Sequence, residues 1–457
     1  MKKTLFVLYN LLLIIILPFF FIWMLFLYFI KNKRGIGFFN KLFPFLNKGI
    51  KELNFENGVW IHAVSLGEIK ASTNFIDLII KETSKSVYLS MVTKTGYDYA
   101  KSLYERDRNH VYVFYFPYDF YFSIKIILSL IKPSLFICIE TEIWPNLFNM
   151  LKQGKVPISI INARISNKSY KNYLALGFFF KYVFESLNLV LCISDGYYDK
   201  FLKLGVKGKN IHVTGNMKFD LSLANFTKEV DRKKENLNNI FKYGKVIVAG
   251  STHKEEEKLI LDAFMKLNKK DKKIFLFIAP RHPERFDYVY SLIKDYNLQC
   301  YRLSSIYSSN YKLTPPLNND FKKMSPANFA DSADLRVVVL VDTIGDLITI
   351  YSICDVAFIG GSMVQVGGHN LLEPLFFGKP VIFGKYVENF SEIADKVIEI
   401  KAGKMVASPE ELFNAVLYYL YNEKAIKDAR ESGLKLISQN KGSSLKNMEY
   451  IVKLLKR

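Results

Sequence analysis

From residue 59 onward the chain repeats one figure, a short run of β-branched and aromatic residues followed by an amphipathic stretch. VWIHAV leads into KASTNFIDLIIKE and VYLSMVT into GYDYAKSLYE, and VYVFYF, SLFICIE, VPISIIN, LVLCIS and NIHVTG continue the series. Strand runs alternating with helix-length segments require a parallel sheet with crossover helices. The series breaks after Gly215 in a polar, charged stretch and resumes as KVIVAG, KIFLFIAP, LQCYRL, RVVVLV, VAFIGG and PVIFG. The expected fold class is therefore α/β, with two doubly wound, Rossmann-like parallel-sheet domains facing a cleft. Their expected bounds are 35–215 and 244–457, with a linker at 216–243 and a membrane segment at 1–34. Residues 304–334, rich in Ser, Asn and Pro, read as an inserted loop.

Residues 4–30, TLFVLYNLLLIIILPFFFIWMLFLYFI, hold no charged side chain and are long enough to cross a bilayer. No small-residue cleavage site follows, so the segment reads as a retained anchor that serves location only. Lys31, Lys33, Arg34 and Lys41 follow it against Lys2 and Lys3 before it, which places the body of the chain on the cytoplasmic side. The run 115–139 is nearly as apolar but is broken by Asp119, Lys125, Lys132 and two prolines, and reads as an amphipathic helix beside a buried strand. A formal charge of +20 asks for an acidic partner, whether nucleic acid, anionic lipid or a phosphorylated small molecule. Cys138, Cys192, Cys300 and Cys354 are scattered through apolar runs, with neither disulfide nor zinc spacing.

The candidate motifs fall where strands end. In VIVAGSTHKEEE, Ser251 and Thr252 offer hydroxyls and amides to a phosphate, and a helix cap using Glu255 and Glu256 explains the same residues. FIAPRHPER adds Arg281, His282 and Arg285, of which Arg281 suits a phosphate because its fork is rigid and always charged. VDTIGDL offers Thr343, Ile344 and Gly345 as a backbone edge for a base, or a plain Asp N-cap. GGSMVQVGGHNLLEP carries Gly360, Gly361, Gly367 and Gly368, which admit a ligand against bare backbone or serve loop geometry alone. Asn370 and Glu373 follow, and a carboxylate there can accept from a ribose diol. HAVSLGE supplies Glu68 and ETEIWPN supplies Glu140 and Glu142, two acidic clusters able to provide a general base. The six histidines are dispersed and no DxD occurs, so no metal site is expected.

In this order HAVSLGE, MVTKTGYDYA, ETEIWPN, NARIS, VTGNMKFD, GSTHKEEE, APRHPER, DTIGDL and GGSMVQVGGHNLLEP make the chain resemble the Kdo transferases of lipopolysaccharide synthesis. The resemblance implies a GT-B fold and transfer of 3-deoxy-D-manno-oct-2-ulosonic acid (Kdo) from CMP-Kdo to a lipid A precursor, lipid IVA, at the cytoplasmic face of the inner membrane. It implies inversion without a metal or other cofactor, no nucleic-acid partner, and Glu68 at the position of the general base. The family's usual HNPLEP reads HNLLEP here. Another GT-B transferase using a different nucleotide sugar, or a noncatalytic membrane scaffold that binds nucleotide, are the competing readings.

Overall fold

The strand runs are apolar at successive positions because both faces of each sheet are covered. In the computed structural model, which describes residues 2–29, 37–47, 50, 57–104, 110–220, 228–241, 244–308 and 336–456, every residue of the runs at 59–63, 87–91 and 135–139 is buried. Trp60, Tyr88 and Phe136 pack into one core, whereas Val59, Ile61, Val87, Leu89 and Ile137 pack into another. Alternate residues thus enter opposite layers, and no polar alternation is left to read.

The chain divides into two units, Met1–Leu221 with Asn440–Arg457, and Ser222–Gln439. The first begins with helix α1 (Lys2–Phe29). It is built on β1 (Val59–Ala63), β2 (Val87–Met91), β3 (Val111–Tyr115), β4 (Leu135–Ile139), β5 (Ile158–Ala163), β6 (Leu189–Cys192) and β7 (Ile211–Val213). All pairs are parallel, in the order β3-β2-β1-β4-β5-β6-β7. Helix α2 (Leu66–Thr83) follows β1, and α3 (Pro145–Gln153) follows β4. The run 115–139 divides as expected into the helix Tyr121–Ile131 and buried β4.

The second unit opens with α4 (Lys228–Phe241). Its sheet comprises β8 (Lys245–Thr252), β9 (Ile274–Pro280), β10 (Gln299–Arg302), β11 (Val337–Leu340), β12 (Val356–Ile359), β13 (Val381–Phe383) and β14 (Gly403–Met405). These also pair in parallel, in the order β10-β11-β9-β8-β12-β13-β14. Helix α5 (Glu256–Lys270) follows β8. The last helix, α6 (Ser443–Leu455), places Met448, Ile451 and Leu454 in one core with Ile69, Phe75, Ile76 and Ile79 of α2.

Two stretches differ from expectation. Residues 440–457 belong to the first unit, not to a domain running 244–457. The stretch 216–243 is mostly structured: Met217–Asp220 is a 3-10 turn of the first unit, and α4 buries Leu237, Ile240 and Phe241 in the second. Its residues 221–227 and 242–243, most of the 304–334 insertion, and Lys31, Lys33 and Arg34 lie outside the described residues. The charged composition of α4 hid a helix whose apolar positions follow a helical period.

The order of each sheet reverses once around its first strand, between β1 and β4 in one unit and between β8 and β12 in the other. Loops leaving two adjacent parallel strands in opposite directions open a crevice at their carboxyl ends, where ligands of such sheets bind.

Candidate functional site

Both carboxylate motifs of the first unit leave the sheet at this reversal. The register pairs His62 with Cys138, so the residues after β1 and β4 emerge side by side. Ser65 caps α2, and Glu68 closes the turn. Its Oε2 accepts from the Val64 amide at 2.6 Å, and its Oε1 accepts from the Ser65 hydroxyl at 3.0 Å. The Glu68 amide donates back to Ser65 Oγ at 3.4 Å. This reciprocal cap fixes the carboxylate yet uses only two of its roughly four lone-pair positions.

Glu140 sits at the end of β4 with a positive φ of 63°, a conformation that costs a non-glycine residue on the order of 1 kcal/mol or more. Arg164, at the end of β5, donates to Glu140 Oε2 from Nε at 2.8 Å, and Lys218 stands 3.8 Å from Oε1. Glu140 is therefore held as a paired anion. Burial, then the charge of Glu140, pushes the Glu68 carboxyl up to about 8, and the same two causes raise Glu142. Neighbouring carboxyls in unlike surroundings separate into a fixed charge and a group able to exchange protons near neutrality. Sequence reasoning missed Arg164 and Lys218 as partners; both lie in the quoted motifs NARIS and VTGNMKFD, but nothing in their spacing points at Glu140.

In the second unit the loops after β8, β9 and β12 converge. His253 Nε2 and His369 Nε2 are 2.8 Å apart with nearly parallel rings, and the His282 ring centroid lies 5.3 Å from that of His253. Burial lowers both His253 and His369, the latter to about 3, with Arg281 and His282 adding in the same direction. As neutral imidazoles, one donates and the other accepts. Three of the six histidines thus meet beside Arg281, which corrects the expectation that they are dispersed. No group of three or more His, Cys, Asp or Glu able to hold a metal occurs among the described residues.

The glycine-rich loop is built differently from expectation. Buried Glu256 accepts from the amides of Gly361 (2.7 Å), Ser362 (3.0 Å), Met363 (2.9 Å) and His253 (2.9 Å). The anion seated on these amides belongs to the protein. A Cβ on Gly360 would lie 2.3 Å from the Ser251 carbonyl oxygen, and one on Gly361, at φ +67°, would lie 3.0 Å from the His369 ring. These two glycines therefore admit the neighbouring strand end and the histidine. Gly367 and Gly368 likewise face Asn389 and the backbone of Tyr386.

Thr252 is fully buried, and its hydroxyl donates to Glu257 at 2.9 Å, so it is not free for a phosphate. Glu257 in turn takes both arms of Arg285, at 2.7 and 3.0 Å. Ser251 is half-buried with φ +57°, and Arg281 and His282 remain exposed. Asn370 donates to Glu373 at 3.2 Å at the start of the helical turn Leu372–Leu375. Thr343, Ile344 and Gly345 follow β11; Ile344 is exposed, and no atom lies within 4 Å of a Cβ built on Gly345. Asp346 pairs with Lys233 at 3.0 Å and makes no side-chain cap. Glu256 was legible only, together with Glu255, as a helix cap, and Glu257 was not singled out. Asking which acceptor serves the amides of Gly361–Met363 would have found Glu256.

A family model described as 3-deoxy-D-manno-octulosonic-acid transferase (kdotransferase) matches residues 36–221. A 3-deoxy-D-manno-octulosonic acid transferase of Haemophilus influenzae is 31% identical over 403 residues, covering 88% of each chain. The chain belongs to the Kdo transferase family. As a Kdo transferase it is a glycosyltransferase of lipopolysaccharide synthesis. A bifunctional glycosyltransferase/methyltransferase of Fusobacterium nucleatum is 34% identical over 85% of this chain, which spans only 56% of that protein's length. In fold, the UDP-GlcNAc 2-epimerase of Neisseria meningitidis is similar with a TM-score of 0.55 at 15% identity, over 87% of this chain and all of that one. The fold is GT-B, as expected from the sequence.

Proposed function

We propose that this Kdo transferase moves Kdo from CMP-Kdo to lipid IVA with inversion and without a metal ion, held at the cytoplasmic face of the inner membrane. The observation that carries the chemistry is the unlike pair at the β1–β4 reversal, Glu68 raised toward neutrality beside Glu140 locked to Arg164. In a single displacement the acceptor oxygen bonds the anomeric carbon of Kdo as the bond to the CMP phosphate breaks. Glu68 takes the hydroxyl proton. The departing phosphate gains charge, and Arg281 with the converging histidines of the second unit offers donors for it, filling the role a cation would otherwise take. Glu373 and Asn370 would hold the ribose, and residues 343–345 would flank the base.

Membrane attachment rests on α1, whose stretch Thr4–Met24 has a mean hydropathy of 2.8 and exposes Val7, Leu11, Ile14, Ile15, Phe19 and Ile22. The basic balance of the chain favours an anionic surface and a phosphorylated acceptor. Mass spectrometry of lipid IVA after incubation with CMP-Kdo tests the whole reading and counts the sugars added. Mass gained only with UDP-sugars would replace the donor.

Arg281→Ala and Glu373→Ala should each weaken CMP binding by about 1.5–3 kcal/mol, the size of a lost charged hydrogen bond. Calorimetry reads this directly, and unchanged affinity in both variants removes these residues from the donor site.

A further inference from the structure

The apolar segment was expected to serve location only, yet its two side chains best able to hydrogen-bond near the start face the first unit. Tyr9 donates to Asp119 Oδ2 at 3.1 Å. Asn10 and Asn146 exchange amide hydrogen bonds, 2.9 Å in each direction. Around them, Phe6 packs on Phe179 and Tyr182 at 5.4 and 5.6 Å, and Phe20 packs edge-on to Tyr118 at 5.0 Å. An amide in so apolar a helix is costly unless it is paired, so its placement marks a specific contact.

That contact continues into the candidate site. Asp119, 7% exposed, accepts from the amides of Asn146 at 2.9 Å and Leu147 at 3.0 Å, the first turn of α3. Asn146, 1% exposed, also donates from Nδ2 to the Asp119 carbonyl at 2.6 Å. The helix has no cap from its own N-cap residue, Trp144, so Asp119 supplies it. Only three residues separate Asn146 from Glu142, and the loop that carries Glu142 starts at the ion pair Glu140–Arg164. One end of the loop is thus held by Arg164 and the other by the cluster that α1 completes.

We propose that Tyr9 and Asn10, through Asp119 and Asn146, are positioning residues for the loop 140–144, so that α1 is a working part of the first unit's site as well as its attachment. This rests on the proposed function, in which Glu68 of the first unit meets the acceptor hydroxyl, and takes Glu142 beside it as an acceptor contact.

The test uses the full chain in vesicles with lipid IVA and CMP-Kdo. Tyr9→Phe combined with Asn10→Leu keeps the helix apolar and should lower kcat for transfer roughly tenfold to a hundredfold. CMP affinity and the membrane-bound fraction should stay at the wild-type values. Asn10→Leu with Asn146→Leu should cost no more than the worse single variant, because both remove the same pair. If CMP affinity and melting temperature fall together with kcat, the contact serves stability alone and the proposal is overturned. Normal transfer in the Tyr9/Asn10 variant, with Glu142→Gln crippled, also overturns it. Normal transfer in Glu142→Gln instead removes the reading beneath it.

Discussion

Glu68→Gln should retain CMP binding while turnover with CMP-Kdo and lipid IVA falls about 10²-fold or more. Gln keeps an oxygen for one of the two cap donors, the Val64 amide or the Ser65 hydroxyl, so α2 should still start at Ser65. It cannot accept the proton of the attacking hydroxyl. The pH profile is a second readout of the same carboxyl. A base works ionised, and burial with the Glu140 charge raises Glu68 to about 8, so wild-type turnover should climb with pH through neutrality and level off above that value. Glu140→Gln removes the neighbouring charge and leaves Arg164 unpaired. Both changes favour ionised Glu68, so the rising limb should move to lower pH. Near-normal turnover in Glu68→Gln would shift the base to Glu142.

The second large effect is expected at a residue that touches no substrate. Glu256→Ala should destabilise the second unit by on the order of 4 kcal/mol, because four amides lose their acceptor and each buried donor left unmatched costs about 1–3 kcal/mol. Burial pushes this carboxyl up while the four amides pull it back, so the loop holds the charged form at the cost of desolvating it. Loss of the anchor should also disorder the loop carrying His369, and CMP affinity should fall with it. Urea unfolding gives the first number and calorimetry the second. A midpoint within about 1 kcal/mol of wild type would mean that the amides find other partners.

The strands were legible because each is a short apolar run bounded by turn residues, and the sequence places all three candidate acids at strand ends. What lay beyond it was pairing. Nothing in EEE distinguishes Glu255, at φ +76° with no cap bond, from Glu256 clasped by a loop more than a hundred residues away. The glycines of GGSMVQVGG report close approach, but not whether a ligand or the Ser251 carbonyl makes it. The meeting of His253, His282 and His369 depends on strand order, which places β8 between β9 and β12 although β10 and β11 intervene in sequence. Helix α1 was read by hydropathy, an average that two polar residues barely change, and those two make its hydrogen bonds to the first unit.

Asp220 holds the start of the last helix, accepting from the amides of Gly442 and Ser444 at 2.7 and 2.5 Å. On the ribosome this contact has a schedule. At about 5–20 residues per second, the first unit is translated and then waits on the order of ten to fifty seconds for the helix that completes its core. The second unit, made entirely of the sequence in between, can finish first. Premature termination just before Ser443 would release a chain whose second unit is whole while Phe75 and Ile79 lack the cover of Met448, Ile451 and Leu454, a product for quality-control proteases to clear.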